Sequence, residues 1–200
     1  NNENHSSVYT ATPDDDIFRE LSIEYSEDNG PMYDGPFDQG ITNGADWYVI
    51  SGGMQDWNYV WRGDMEVTVE LDDQKWPPAS ELDRLWNENR ESMVSYMERA
   101  LTGVRGVVTD AETGAPVSAR LTIAGRDVPF FTDPEVGDYH RPLSAGSYTL
   151  VVRAAGYQTR EIPITIADGE ADAVRQDVQL SPRPTSLAHA DHRVAEDSGE

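Results

Sequence analysis

The sequence predicts an α/β piece followed by an all-β antiparallel sandwich. Three observations carry that expectation. Apolar residues recur at helical spacing in two long segments of the first hundred residues, with one alternating run between them, Met65 to Leu71. At Thr102-Gly103 the character changes to short alternating runs separated by frequent turns. The last stretch, "SPRPTSLAHADHRVAEDSGE", has no periodicity and reads as a disordered tail. The expected boundaries are 1–103, 104–181 and 182–200. Two hundred residues suffice for two small domains.

The first helix is read in "TPDDDIFRELSIEYSEDNGP". Thr12 can cap it, Pro13 suits the first turn, and Asp14 to Asp16 complement the positive end of the helix dipole. Ile17, Phe18, Leu21 and Tyr25 form its apolar stripe, and Asn29-Gly30-Pro31 ends it. Residues 30–46 are rich in Gly, Asp and Pro and read as loop. In the run from Met65, strand alternation puts Met65, Val67, Val69 and Leu71 on one face, with Glu66, Thr68 and Glu70 on the other. The clearest helix is "WPPASELDRLWNENRESMVSYMERAL". There Ser80 with Asp83 resembles a capping box, and Leu82, Leu85, Trp86, Met93, Tyr96, Met97 and Leu101 form a stripe expected in the core. The sandwich strands are read in "VRGVVTD", "ARLTIAG", "DYHRPL", "SYTLVVRA", "REIPITIA" and "VRQDVQL".

The formal charge of −22 argues against nucleic acid and anionic membrane as partners. Basic peptides would be attracted, although such a surface also serves solubility. The absence of cysteine removes disulfides, thiolate zinc sites and thiol nucleophiles together. No apolar run approaches a membrane span, and "NNENHSSVYT" is not a signal peptide. The missing initiator methionine suggests a fragment whose start lies elsewhere.

Four histidines are present: His5, His140, His189 and His192. None begins His-x-x-Glu or His-Glu-x-x-His, and His189 with His192 reads as an adventitious pair in the tail. No Gly-x-Ser-x-Gly occurs. Glu70 and its surroundings remain, and composition alone would leave that glutamate solvated.

"TNGADWY", "GGMQDWNY" and "VELDDQKWPP", in that order and spacing, resemble the M14 zinc metallocarboxypeptidases. The likeness is to the carboxypeptidase E, N, M and D subfamily. The likeness runs from about Tyr9 to Leu180. "GVVTDAETGAPVSARLTIAG" and "GSYTLVVRAAGYQTREIPI" resemble that subfamily's transthyretin-like module. The resemblance implies that residues 1–103 are the C-terminal part of a mixed-sheet catalytic domain. It also implies a Zn²⁺ cofactor in the complete enzyme, with ligands upstream of this chain. Peptide or protein C-termini, with basic endings, would be the substrates, and the enzyme would be secreted or periplasmic.

Carried over by motif, Glu70 is the catalytic general acid/base. It takes a proton as water attacks the peptide carbonyl and gives it to the leaving amine. Tyr48 would close over the bound C-terminus. Gln55 would sit at the base of the pocket for the C-terminal side chain, with Gly53 and Thr68 lining it. No metal ligand is assigned within the chain, and Asp56 is given no catalytic role. On this reading the fragment alone is inactive. Its first hundred residues fold poorly without their partner strands, whereas the sandwich folds independently. The alternative is an inactive carboxypeptidase-like peptide-binding or interaction module.

Overall fold

The computed structural model describes residues 8–169 and 172–184. Five helices precede the strands: α1 (Asp15–Glu27), α2 (Gly30–Tyr33), α3 (Gly44–Trp47), α4 (Met54–Arg62) and α5 (Leu82–Glu98). Eight strands follow: β1 (Val104–Asp110), β2 (Arg120–Ile123), β3 (Arg126–Phe131), β4 (Asp138–Arg141), β5 (Gly146–Arg153), β6 (Arg160–Ile166), β7 (Val174–Arg175) and β8 (Val178–Leu180). The expected order, an α/β piece and then a β-sandwich, holds, and several details differ for physical reasons.

Helix α1 buries Ile17, Leu21 and Tyr25, as its stripe requires. Asp15 and Asp16 stand in its first turn as expected, but Thr12 is not the cap. Asp14 occupies the N-cap, yet its side chain makes no capping bond. The carboxylate turns instead toward two arginines of the sandwich. Helix α2 starts directly behind α1, capped by Asn29, whose side-chain oxygen accepts the Met32 N–H at 3.2 Å.

Helix α5 corrects two expectations. A 3₁₀ turn over Ala79–Glu81 leads into it, and Glu81 at the N-cap makes no side-chain cap, so no Ser80–Asp83 box forms. The stripe expected in the core is largely outside: Leu82, Trp86, Met93, Met97 and Leu101 are 38–64% exposed. The buried positions of α5 are Leu85, Asn89 and Ser92. Facing α1, the Asn89 side-chain oxygen accepts from the Tyr25 hydroxyl (3.1 Å) and the Asn29 amide (3.0 Å). This polar network, together with the Tyr96 ring edge-on to Tyr25 at 6.4 Å, sets how α5 meets α1.

The run Met65–Leu71 pairs with no strand among the described residues. Its alternation survives in part. Met65, Val67 and Val69 are half-buried while Thr68 and Glu70 are exposed, but Leu71 is exposed as well. A ladder needs a neighbouring strand, and between residues 8 and 103 the described chain supplies helices and loops only.

The sandwich packs two sheets, β4-β1-β7 with β8 also on β1, and β3-β2-β5-β6. It is not purely antiparallel, since β7 and β8 both run parallel to β1. The expected last strand breaks at Gln176-Asp177, where the Gln176 carbonyl lies against Gly106. A Cβ on Gly106 would come within 2.0 Å of that oxygen, so only glycine fits. Strand β3, "RDVPFF", goes unread in the sequence because Pro129 demotes the run. It lies at a sheet edge, where proline is tolerated. Beyond β8, Pro182 bridges Tyr157 and the Arg183 N–H donates to the Gly156 carbonyl at 2.8 Å. The tail from residue 185 falls outside the described residues.

The two parts share a core. Ile17 and Leu21 of α1 pack among Val104, Leu121, Phe130, Leu150 and their neighbours. Beside this core Asp14, with no exposed surface, accepts from Arg141 Nη2, from Arg126 Nη1 at 2.9 Å and from the Tyr59 hydroxyl at 2.8 Å. Arg126 also donates to both carboxylate oxygens of Asp16, at 3.0 and 2.7 Å. Burial, reinforced by the Asp14 charge, pushes the Tyr59 phenol up to about 12.

At the same junction the His140 Nε2 lies 2.8 Å from the Thr102 carbonyl, in the link between helices and strands. Burial, with the charges of Arg105 and Arg141, lowers the His140 pKa, although the Thr102 bond opposes it. A folded value below the unfolded one favours the neutral ring in the folded state. The stability it contributes is complete above the ordinary histidine value of about 6.5 and is lost as pH falls through the lower folded value. Urea unfolding from pH 7.5 down to 5 should therefore show wild type weakening relative to His140→Gln. Parallel curves would place the ring in water.

Candidate active site

The site is built on α4 and the segment that follows it. Gly53 occupies the N-cap of α4, which places Gln55 in the first turn. The Gln55 amide is held at both ends. Its Nε2 donates to the Glu66 carbonyl at 2.9 Å, and its Oε1 accepts from the Thr68 hydroxyl at 3.0 Å. Asn58, one turn along, donates to the Glu66 carboxylate. These bonds lace α4 to residues 66–68 through side chains rather than through a ladder.

From the other side the Tyr96 hydroxyl of α5 donates to the Met65 carbonyl at 2.6 Å. Further along, Arg84 donates to Asp72 at 2.8 Å, while the same guanidinium reaches Glu81 at 2.9 Å and Glu88 at 2.7 Å. The segment is thus fixed at Met65, Glu66, Thr68 and Asp72. Glu70 lies between the last two, exposed, two residues from Thr68 and at the same alternation as Thr68.

Of the residues singled out in the sequence, the structure joins Gln55 and Thr68 directly. It sets Gly53 at the head of the same helix and Glu70 on the same segment. Tyr48 is carried by a separate turn, at the C-cap of α3. Its ring is 53% exposed and stands edge-on to Trp47 at 4.9 Å, and Trp47 stands edge-on to Phe37 at 5.5 Å.

Zinc does not fit the described residues. No group of three or more His, Cys, Asp or Glu among them could hold a metal ion. His140 is committed to the Thr102 carbonyl, and the other three histidines lie outside the described residues.

Sequence reasoning missed the partners of Asp14: Tyr59, Arg126 and Arg141. One signal was present: in "DYHRPL" Arg141 stands two residues from Tyr139, so strand alternation puts a charge on the inward face. Such a charge requires a buried partner.

Comparison with known proteins places both parts of the chain in sequence families. Residues 2–92 match the zinc carboxypeptidase family, and residues 103–181 match the carboxypeptidase regulatory-like domain. Carboxypeptidase D of Anas platyrhynchos is 38% identical over 190 residues, covering 88% of this chain and 13% of that protein. Carboxypeptidase SOL1 of Arabidopsis thaliana is 37% identical over 187 residues, covering 92% of this chain and 38% of that protein. The carboxypeptidase N catalytic chain of Rattus norvegicus is 37% identical over 192 residues, covering 92% and 41% respectively. The chain thus spans between 13 and 41% of the length of these relatives. Through its first ninety-odd residues the chain belongs to the zinc carboxypeptidase family, and a carboxypeptidase regulatory-like domain follows.

Proposed function

We propose that this chain is the Glu70-bearing portion of a metallocarboxypeptidase that hydrolyses the C-terminal peptide bond of peptides or proteins and releases basic residues. The observation that carries the reading is the Gln55 amide, fixed by Thr68 and Glu66 beside the segment that presents Glu70. A carboxylate there can accept the proton of an attacking water and return it to the leaving amine. Gln55 sits at the base of the pocket for the departing side chain, Gly53 and Thr68 line it, and Tyr48 closes over the substrate's C-terminus. In the family zinc supplies the Lewis acid. Its ligands are not found among the described residues of this chain, and the complete enzyme provides them from elsewhere. Residues 1–200 alone are then inactive, and an exported enzyme is the setting the family suggests. Among the described residues no helix is long and apolar enough to cross a membrane.

The pocket assignment is tested by offering the full-length protein matched peptides ending in Arg, Lys or Phe and measuring the released residue. Basic endings should be preferred. Gln55→Leu should lower kcat/KM for the Arg-ended peptide at least tenfold relative to the Phe-ended one, a difference of about 1.4 kcal/mol. An unchanged preference would remove Gln55 from the pocket.

A further inference from the structure

We propose that Arg141 is a positioning residue through which the sandwich sets the start of the segment carrying Glu70. Only the catalytic consequence rests on the peptidase reading above. Arg141 ends β4 and is 2% exposed. One arm of its guanidinium, Nη2, donates to the Asp14 carboxylate, and the other, Nη1, donates to the Gly63 carbonyl at 2.6 Å. Gly63 is the residue at which α4 stops, with φ +79, and residue 64 begins the run to Glu70.

The fit leaves little slack. A Cβ on Gly63 would lie 2.7 Å from the Pro129 carbonyl of β3 and 2.9 Å from Arg141 Nη1. Beneath the guanidinium the Phe130 ring centre is 5.5 Å away. A planar fork gripping two acceptors fixes their separation, and here the acceptors belong to α1 and to the end of α4. Downstream of this anchor, the bonds from Tyr96 to Met65 and from Gln55 to Glu66 and Thr68 depend on the segment's register. A slip of one residue would move every side chain, Glu70 included, to the opposite face.

The bland alternative is that Arg141 only neutralises Asp14. Arg141→Lys separates the two, because an ammonium is a point charge that can pair with Asp14 but lacks the fork needed to hold Gly63 as well. Arg126→Lys changes the other cation of the cluster and leaves the Gly63 contact in place, so it is the control. The readout is hydrogen exchange, by mass spectrometry on the full-length protein, at the Gly63 and Asp64 amides. These donate to the Tyr59 carbonyl at 3.0 Å and the Asn58 carbonyl at 3.4 Å.

In Arg141→Lys those amides should exchange at least tenfold faster while the β5 amides and the Arg126→Lys control stay unchanged. The same variant should lower kcat for peptide cleavage about tenfold at constant KM. Gly63→Ala, whose methyl would press on Nη1, is the second variant should Arg141→Lys unfold the sandwich, and the same pattern is expected of it. Unchanged exchange at Gly63 and Asp64 overturns the proposal, whatever the enzyme does. Faster exchange with unchanged kcat overturns the positioning of Glu70. A wild-type protein without peptidase activity sinks the functional reading, and exchange alone then decides the Arg141 contact.

Discussion

Asp14→Ala is expected to destabilise the protein by about 3–5 kcal/mol, the largest loss anticipated for a single side chain here. In the sequence the residue reads as one of three charges complementing the helix dipole, where such a change would cost about 0.3–1 kcal/mol. Its burial changes the scale. The substitution would leave Arg141, 2% exposed, without its counter-charge, and the Tyr59 hydroxyl without its acceptor. Burial already pushes the Arg141 pKa down, and the Asp14 charge only partly offsets it. The pair therefore locates the helices against the sandwich more than it adds net stability, and removing half of it costs more than the pair contributes. At roughly 2–4 °C per kcal/mol for a chain of this size, the thermal midpoint should fall by about 6–20 °C. Replacing both partners, Asp14→Leu with Arg141→Met, should recover much of that loss. A midpoint within 2 °C of wild type for Asp14→Ala alone would show that the cluster is hydrated.

Glu70→Gln is expected to leave stability within about 0.5 kcal/mol while lowering kcat by roughly 10²–10⁴, at little cost in KM. The two halves of that result separate the readings of this residue. Glu70 is exposed and sits at a stretch fixed by its neighbours rather than by itself, so its replacement by an isosteric amide should not disturb the fold. A glutamate that is merely solvated would change neither quantity. Loss of turnover in a protein with an unaltered midpoint assigns the carboxylate to proton transfer, because glutamine keeps the shape and removes the basicity.

The helices and strands were largely legible because their periodicities are local. Ile17, Leu21 and Tyr25 lie where a 3.6-residue period puts them, and the alternation in β1 and β6 matches strands with one face on a core. The misread features depend on partners distant in sequence. Asp14 reads as a charge on the helix dipole until Arg141, 127 residues away, is brought beside it. The outward residues of α5 read as core because sequence pattern shows an apolar face but not what covers it, and α1 meets the side that carries Asn89 and Tyr96. Strand β3 was hidden by Pro129, whose place at a sheet edge only the topology shows. Within the site, alternation and motif singled out Glu70, Thr68 and Gln55, but the bonds that tie Gln55 to Glu66 and Thr68 cross between elements and carry no local signal.

One measurement bears on the central claim most directly: release of the C-terminal residue from an Arg-ended peptide, followed by mass spectrometry, for the full-length protein and for residues 1–200 alone, with and without chelator. The account predicts one-residue shortening by the full-length protein, abolished by chelator, and no shortening by residues 1–200. Release by residues 1–200 alone, or release by the full-length protein that survives the chelator, would contradict it.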